Sequence, residues 1–159
     1  MRYLTSDEIK ENRKELFTDM QKMKATPPIR SGISKELVLK YSPKRESKIL
    51  DCGTATGFFL QELFNSGYRE LYAIDIDDYL SIQKSILKDF KFANVSYDPL
   101  PFGDKFFNAV TAWEFIEHLE NPFFFCREVW RVLEDGGYFY IAMPNSVNLI
   151  SRIRFLLSG

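Results

Sequence analysis

Histidine and cysteine are almost missing from this chain. Its 159 residues hold one His, at position 118, and two Cys, at 52 and 126. That is too few for a four-ligand zinc site and too few for a disulfide scaffold, so no metal site is expected. The N-terminus, MRYLTSDEIKENRKE, lacks the apolar stretch of a signal peptide, and two thiols without a secretory signal point to a reducing, cytoplasmic setting. No apolar run approaches the roughly 20 residues needed to span a bilayer. Charge of one sign is not in excess either: 21 Lys and Arg stand against 22 Asp and Glu, a formal net charge of −1, so no basic field argues for a nucleic-acid partner. Fixed-period repeats, low-complexity tracts and Gly/Ser linkers are absent as well.

What is present suits one soluble domain. Hydrophobic residues make up 45% and charged residues 27% of the chain, enough apolar material for a core that needs no staples. The 15 Phe suggest a bulky core or an aromatic-lined pocket.

Thr5 followed by Glu8 reads as a capping box, and Ile9, Leu16, Phe17, Met20 and Met23 recur at helical spacing beyond it. Thr26-Pro27-Pro28 stops that helix, and a shorter one is predicted from Ser34 to Tyr41, ended by Pro43. From Lys48 the rhythm changes to short apolar runs alternating with helical segments. Strands are predicted at 48–52, 70–75, 94–97 (weakly), 107–113 and 138–143, with helices at 57–65 and 79–90. A further helix opens at Asn121-Pro122, an N-cap followed by Pro at the first helical position. It carries Phe123, Cys126, Trp130 and Leu133 on one apolar stripe and ends at Gly136-Gly137. Such alternation means right-handed crossovers: a Rossmann-like, doubly wound α/β domain with a mainly parallel sheet of about five strands and helices on both faces. The organisation expected is an N-terminal helical segment (1–45), the α/β core (46–145) and an amphipathic C-terminal helix (146–159), all in one domain.

In such sheets ligands bind beyond the carboxyl ends of the strands. The first strand runs into Asp51-Cys52-Gly53-Thr54-Ala55-Thr56-Gly57, a small-residue turn leading to a helix. Glycines there allow close backbone approach, and the helix start offers unpaired N–H donors. Asp51 would repel a pyrophosphate but suits a ligand carrying an ammonium or sulfonium charge. The spacing is also not the Gly-x-Gly-x-x-Gly of dinucleotide sites. A nicotinamide-dependent oxidoreductase is disfavoured on both counts. The second strand ends in Asp75, a carboxylate whose two oxygens can accept both hydroxyls of a ribose. It lies 18 residues beyond Gly57, near the separation of about 20 expected of a ribose-binding acid; the alternative is a solvated acidic turn with Asp77 and Asp78.

KILDCGTATGFFL, ELYAIDID, LPFGDKFFNAVTAWEFIEHLENP and GGYFYIAMPN, in that order, resemble the successive motifs of class I S-adenosylmethionine-dependent methyltransferases, closest to the small-molecule groups called type 11 or type 23. The resemblance covers roughly residues 46–157. It implies that Gly53 and the neighbouring backbone of Thr54, Ala55 and Gly57 hold the methionine part of S-adenosylmethionine, with Asp51 near its ammonium. Asp75 would bind the ribose and Ile76 pack on adenine. The acidic residue that often meets the adenine amine maps to Ser96 or to Asp98, with Asp98 favoured; Leu100 belongs to the matching Leu-Pro-Phe, and Trp113 would sit beside the methyl-transfer site. Ala55 stands where the family commonly has Gly, and the expectation is a negative φ there, which a single methyl tolerates.

His118 is the obvious neutral-pH base, with a structural histidine near the Asn121-Pro122 helix start as the competing reading; Glu114 is a second pocket-lining candidate. The reaction implied is in-line methyl transfer to a small-molecule acceptor, for which the protein's main task is alignment near about 3 Å. Tyr97, Phe102, Phe106, Phe107, Trp113 and Phe115 are compatible with an apolar acceptor and equally with core packing. Leu149, Ile150, Ile153, Leu156 and Leu157 form an apolar stripe with Arg152 and Arg154 beside it. Family members usually continue with two more strands, so the expectation is either a fragment or a homodimer or partner chain over the open edge of the fifth strand. The alternative function is a catalytically incomplete cofactor-binding module acting with a partner.

Overall fold

A computed structural model describes residues 31–42 and 44–143. The capping box, the helix of residues 5–24 and the C-terminal stripe lie outside them. The elements run α1 (Ser31–Tyr41), β1 (Ile49–Cys52), α2 (Phe58–Asn65), β2 (Leu71–Asp75), β3 (Asp89–Phe92), β4 (Phe107–Trp113), α3 (Pro122–Val132) and β5 (Leu133–Ala142). The strands form one sheet in the order β3-β2-β1-β4-β5, and every neighbouring pair is parallel. The chain therefore starts in the middle of the sheet, moves outward to β3, and returns to the centre before filling the other side. In open α/β sheets such a reversal of strand order is where ligands bind, beyond the carboxyl ends of the strands.

Alternate residues of the strands feed two cores. Ile49, Leu71, Ala73 and Ala109 pack with Val38 of α1 and Leu60 and Leu63 of α2. Leu50, Cys52, Ile74, Val110 and Ala112 pack with Phe125, Val129 and Val132 of α3. This is the three-layer, doubly wound arrangement expected, and β1 and β2 are buried along almost their whole length, as strands covered on both faces must be.

Three expectations fail for physical reasons. No α-helix spans 79–90: the segment is irregular, with a single 3₁₀ turn at Lys84–Ile86 before β3 begins at Asp89. Leu80 and Ile82, two residues apart, both meet the space beside Gly57, a shared placement that residues two apart on a helix do not reach. The third strand is Asp89–Phe92, not 94–97. Residues 94–98 instead close a turn, in which the Asn94 carbonyl accepts from the Tyr97 and Asp98 amides and the Asp98 carboxylate accepts from the Asn94 amide; short polar side chains compete with the sheet ladder. The stripe of Phe123, Cys126 and Trp130 faces solvent, with Phe123 77% and Trp130 81% exposed, while Phe125, Val129 and Val132 are buried. α3 is apolar on two faces, and its rotation is set by Leu133, which caps the helix and also begins β5. β5 thus starts five residues earlier than the glycine pair suggests, and Glu134–Gly137 bulge out between the Phe107–Leu133 and Ala109–Tyr138 pairings.

Candidate functional site

The turn after β1 is built from backbone that side chains rarely tolerate. Gly53, Ala55 and Gly57 all have positive φ, at 72°, 47° and 77°. Ala55 departs from the expected negative φ. A left-handed L-residue costs roughly 1–2 kcal/mol, so the loop holds Ala55 in place against strain. What holds it is visible: the Gly53 and Thr54 amides donate to the Ile74 carbonyl, and the Ala55 amide donates to Asp75 Oδ2 at 2.9 Å. The Ser81 amide donates to the Thr56 carbonyl, so the 76–83 segment is tied across the turn.

Asp75 is 5% exposed and ends β2. Besides the Ala55 bond, its Oδ1 accepts the Ile76 amide at 2.7 Å. The carboxylate is thereby oriented. Asp75 and Ile76 line a narrow, open-sided cleft together with Asn94, Ser96, Phe115 and His118.

Asp51 lies under the turn, 4% exposed. Thr111 of the adjacent strand donates to its Oδ1 at 2.6 Å. Burial nevertheless dominates and pushes its carboxyl from 3.8 up to about 7, the Thr111 bond opposing and the nearby Asp75 adding. Among the described residues no cation pairs with Asp51.

Other expected residues fall elsewhere. The exposed Asp98 spends its carboxylate on the Asn94 amide and does not line the cleft. Ser96 does, although its hydroxyl accepts the Glu120 amide. Leu100 is core, 2% exposed, with its amide held by Glu128 and its carbonyl by Arg131. Trp113 ends β4 between the Phe59 and Tyr140 rings, its Nε1 buried without a partner. Glu114 follows at φ 49°, with its amide donating to the Ala142 carbonyl. His118 is exposed and sits in a 3₁₀ turn, Ile116–His118, on the wall of the Asp75 cleft. Asn94 is not among the expected site residues, because the sequence places it at the start of a strand and not just beyond one; Phe115 is expected only among the aromatics compatible with an apolar acceptor or with core packing, not on the wall of the Asp75 cleft.

Among the described residues no helix is long and apolar enough to cross a membrane, and no group of three or more His, Cys, Asp and Glu could hold a metal.

Comparison with known proteins agrees with this layout. A family model described as a methyltransferase domain matches residues 50–141. A demethylmenaquinone methyltransferase of Chlorobaculum tepidum is 28% identical over 102 residues, which are 64% of this chain and 42% of that protein. The chain therefore spans about two fifths of that relative. Among solved structures, the PH0226 protein of Pyrococcus horikoshii aligns with a TM-score of 0.64 at 24% identity, over 84% of this chain and 62% of that one. A Thermotoga maritima structure, described as a S-adenosylmethionine-dependent methyltransferase and possible histamine N-methyltransferase, gives 0.56 at 18%, over 78% and 56%. At these identities the structures show the shared fold.

Proposed function

Because the chain belongs to the methyltransferase domain family, and to its class I architecture, we propose that it binds S-adenosylmethionine across the carboxyl ends of β2, β1 and β4 and transfers a methyl group to a small-molecule acceptor. The observation that carries this reading is Asp75: buried, pinned by the Ala55 and Ile76 amides, and opening onto the cleft at the end of β2. An acceptor-only carboxylate in a fixed orientation suits a pair of ribose hydroxyls. A second fit is Asp51, a buried carboxyl with no cation beside it among the described residues, whose pKa is raised chiefly by burial and which suits a cationic ligand group. The similarity to a demethylmenaquinone methyltransferase supports a small-molecule acceptor.

S-adenosylmethionine, once bound, supplies a methyl group already activated on a sulfonium. The chain's own contribution is then position and dryness. Asp75 and Ile76, with Asn94 and Ser96 opposite, hold the nucleoside, and the cleft they share with His118 supports a nucleoside role for that imidazole too. Asp51 and the Gly53–Ala55 backbone hold the amino-acid tail. Trp113 walls the β4 end against water. Glu114, directly after Trp113, is the side chain that takes a proton from an acceptor that must lose one. Asp98 and Leu100 drop out of the cofactor contacts.

Titration calorimetry of the folded chain with S-adenosylhomocysteine is the direct test. Saturable one-to-one binding is expected, and its absence sinks the reading.

A further inference from the structure

A ligand anchored at Asp75 on β2 and extending toward Trp113 on β4 has to cross the end of β1, which lies between those strands. Gly53 occupies that crossing. Its face is covered: a Cβ built on Gly53 would fall 2.6 Å from Cε2 and 2.8 Å from Cγ of Phe115, nearer still to Cδ2. The Phe115 ring stands against the bare backbone of the turn. It is 9% exposed, packs edge-on against Phe125 of α3 at 5.5 Å between centroids, and forms part of the wall of the Asp75 cleft.

The backbone just before the ring explains its aim. Glu114 has φ 49°, and its amide bond to the Ala142 carbonyl keeps it in line with the sheet. The chain reverses sharply there and turns Phe115 back over Gly53. A non-glycine residue at positive φ is a strained joint, and strain of this kind persists at sites where a particular side-chain placement is used.

We propose that Phe115 is the selectivity element of the groove: its ring separates the nucleoside cleft from the path of the amino-acid tail. Ligands with a bare thioadenosine head need only the Asp75 cleft and not the Gly53 crossing. Ligands with the tail enter only when the ring leaves Gly53. This rests on the cofactor reading above. The tail's binding energy is then partly consumed in moving the ring, and apparent affinity falls by the fraction of molecules with the ring displaced.

The test compares 5′-methylthioadenosine, which lacks the tail, with S-adenosylhomocysteine, which has it. The full chain and its F115L and F115A forms are titrated calorimetrically, with folding checked by circular dichroism; F115L keeps apolar volume against Phe125 should F115A unfold. The unaltered protein is expected to bind methylthioadenosine at least as tightly as the homocysteine. Replacing the ring is expected to tighten S-adenosylhomocysteine by about tenfold and to change methylthioadenosine by less than about twofold. Equal changes in both ligands, or weaker S-adenosylhomocysteine binding, overturn the role of Phe115. Folded, unaltered protein that binds neither ligand overturns the cofactor reading itself.

Discussion

Replacing Ala55 by glycine should make this protein more stable. At φ 47° the alanine methyl crowds its own backbone, at a cost of roughly 1–2 kcal/mol that glycine does not incur. Glycine also loosens the unfolded chain, which subtracts about 0.4–1 kcal/mol. The difference leaves a gain of about 0.5–1 kcal/mol for Ala55→Gly. For a chain of this size each kcal/mol moves Tm by about 2–4 °C, so the expected rise is about 1–4 °C, read by thermal circular dichroism under identical buffer. The Ala55 amide bond to Asp75 Oδ2 is untouched, so S-adenosylhomocysteine affinity should hold or improve. An unchanged or lowered Tm would refute the strain argument and mean that the turn relaxes to negative φ in solution.

Asp51 gives a pH signature. Its folded pKa, about 7, lies above the ordinary 3.8, so folding favours the protonated form and the associated stability is present at acid pH. That stability declines as pH rises from about 4 to about 7 and levels off above. Asp51→Asn should abolish this slope in denaturant titrations made at about pH 5 and about pH 8; a slope retained in the variant assigns it elsewhere. A cationic ligand group beside Asp51 has the opposite preference, so S-adenosylmethionine affinity should fall up to about tenfold per pH unit below about 7, and a flat profile removes the cation from Asp51. Asp75→Ala should weaken S-adenosylhomocysteine by about 100-fold or more, because hydrogen bonds to a charged group contribute about 1.5–3 kcal/mol each; a loss under about threefold contradicts ribose binding there. Arg131→Gln severs bonds to the Leu100 and Phe102 carbonyls and to Glu128 and Asp104, and should cost about 2 kcal/mol. Its cofactor affinity should be unaffected, since Leu100 is core, and a large affinity loss would return that loop to the site.

The strands that the sequence revealed are those whose apolar run has no competitor. Residues 107–113 coincide with β4, and β1 and β2 differ from expectation by one residue at their starts. Such strands are buried on both faces, so composition alone marks them. The 79–90 stretch misled because Leu80, Ile82, Ile86 and Phe90 fit either a loose helix or an extended chain, and the choice is made by what Leu80 and Ile82 meet at Gly57. On α3 both stripes satisfy helical periodicity, and only the direct passage into β5 decides between them. In the site, Asp51, Gly53 and Asp75 stand at strand ends and could be read there. Phe115 could not, because its position depends on the left-handed Glu114, and a glutamate carries no sign of such a conformation. Ala55 failed for the same reason.

The two tryptophans sit in different surroundings: Trp130 projects into water on the outer face of α3, and Trp113 is half-buried between two rings at the end of β4, with its Nε1 buried. Iodide will therefore quench the first more strongly than the second. Light emitted by the less exposed indole is a built-in optical probe of whatever arrives beside Trp113, available without any label.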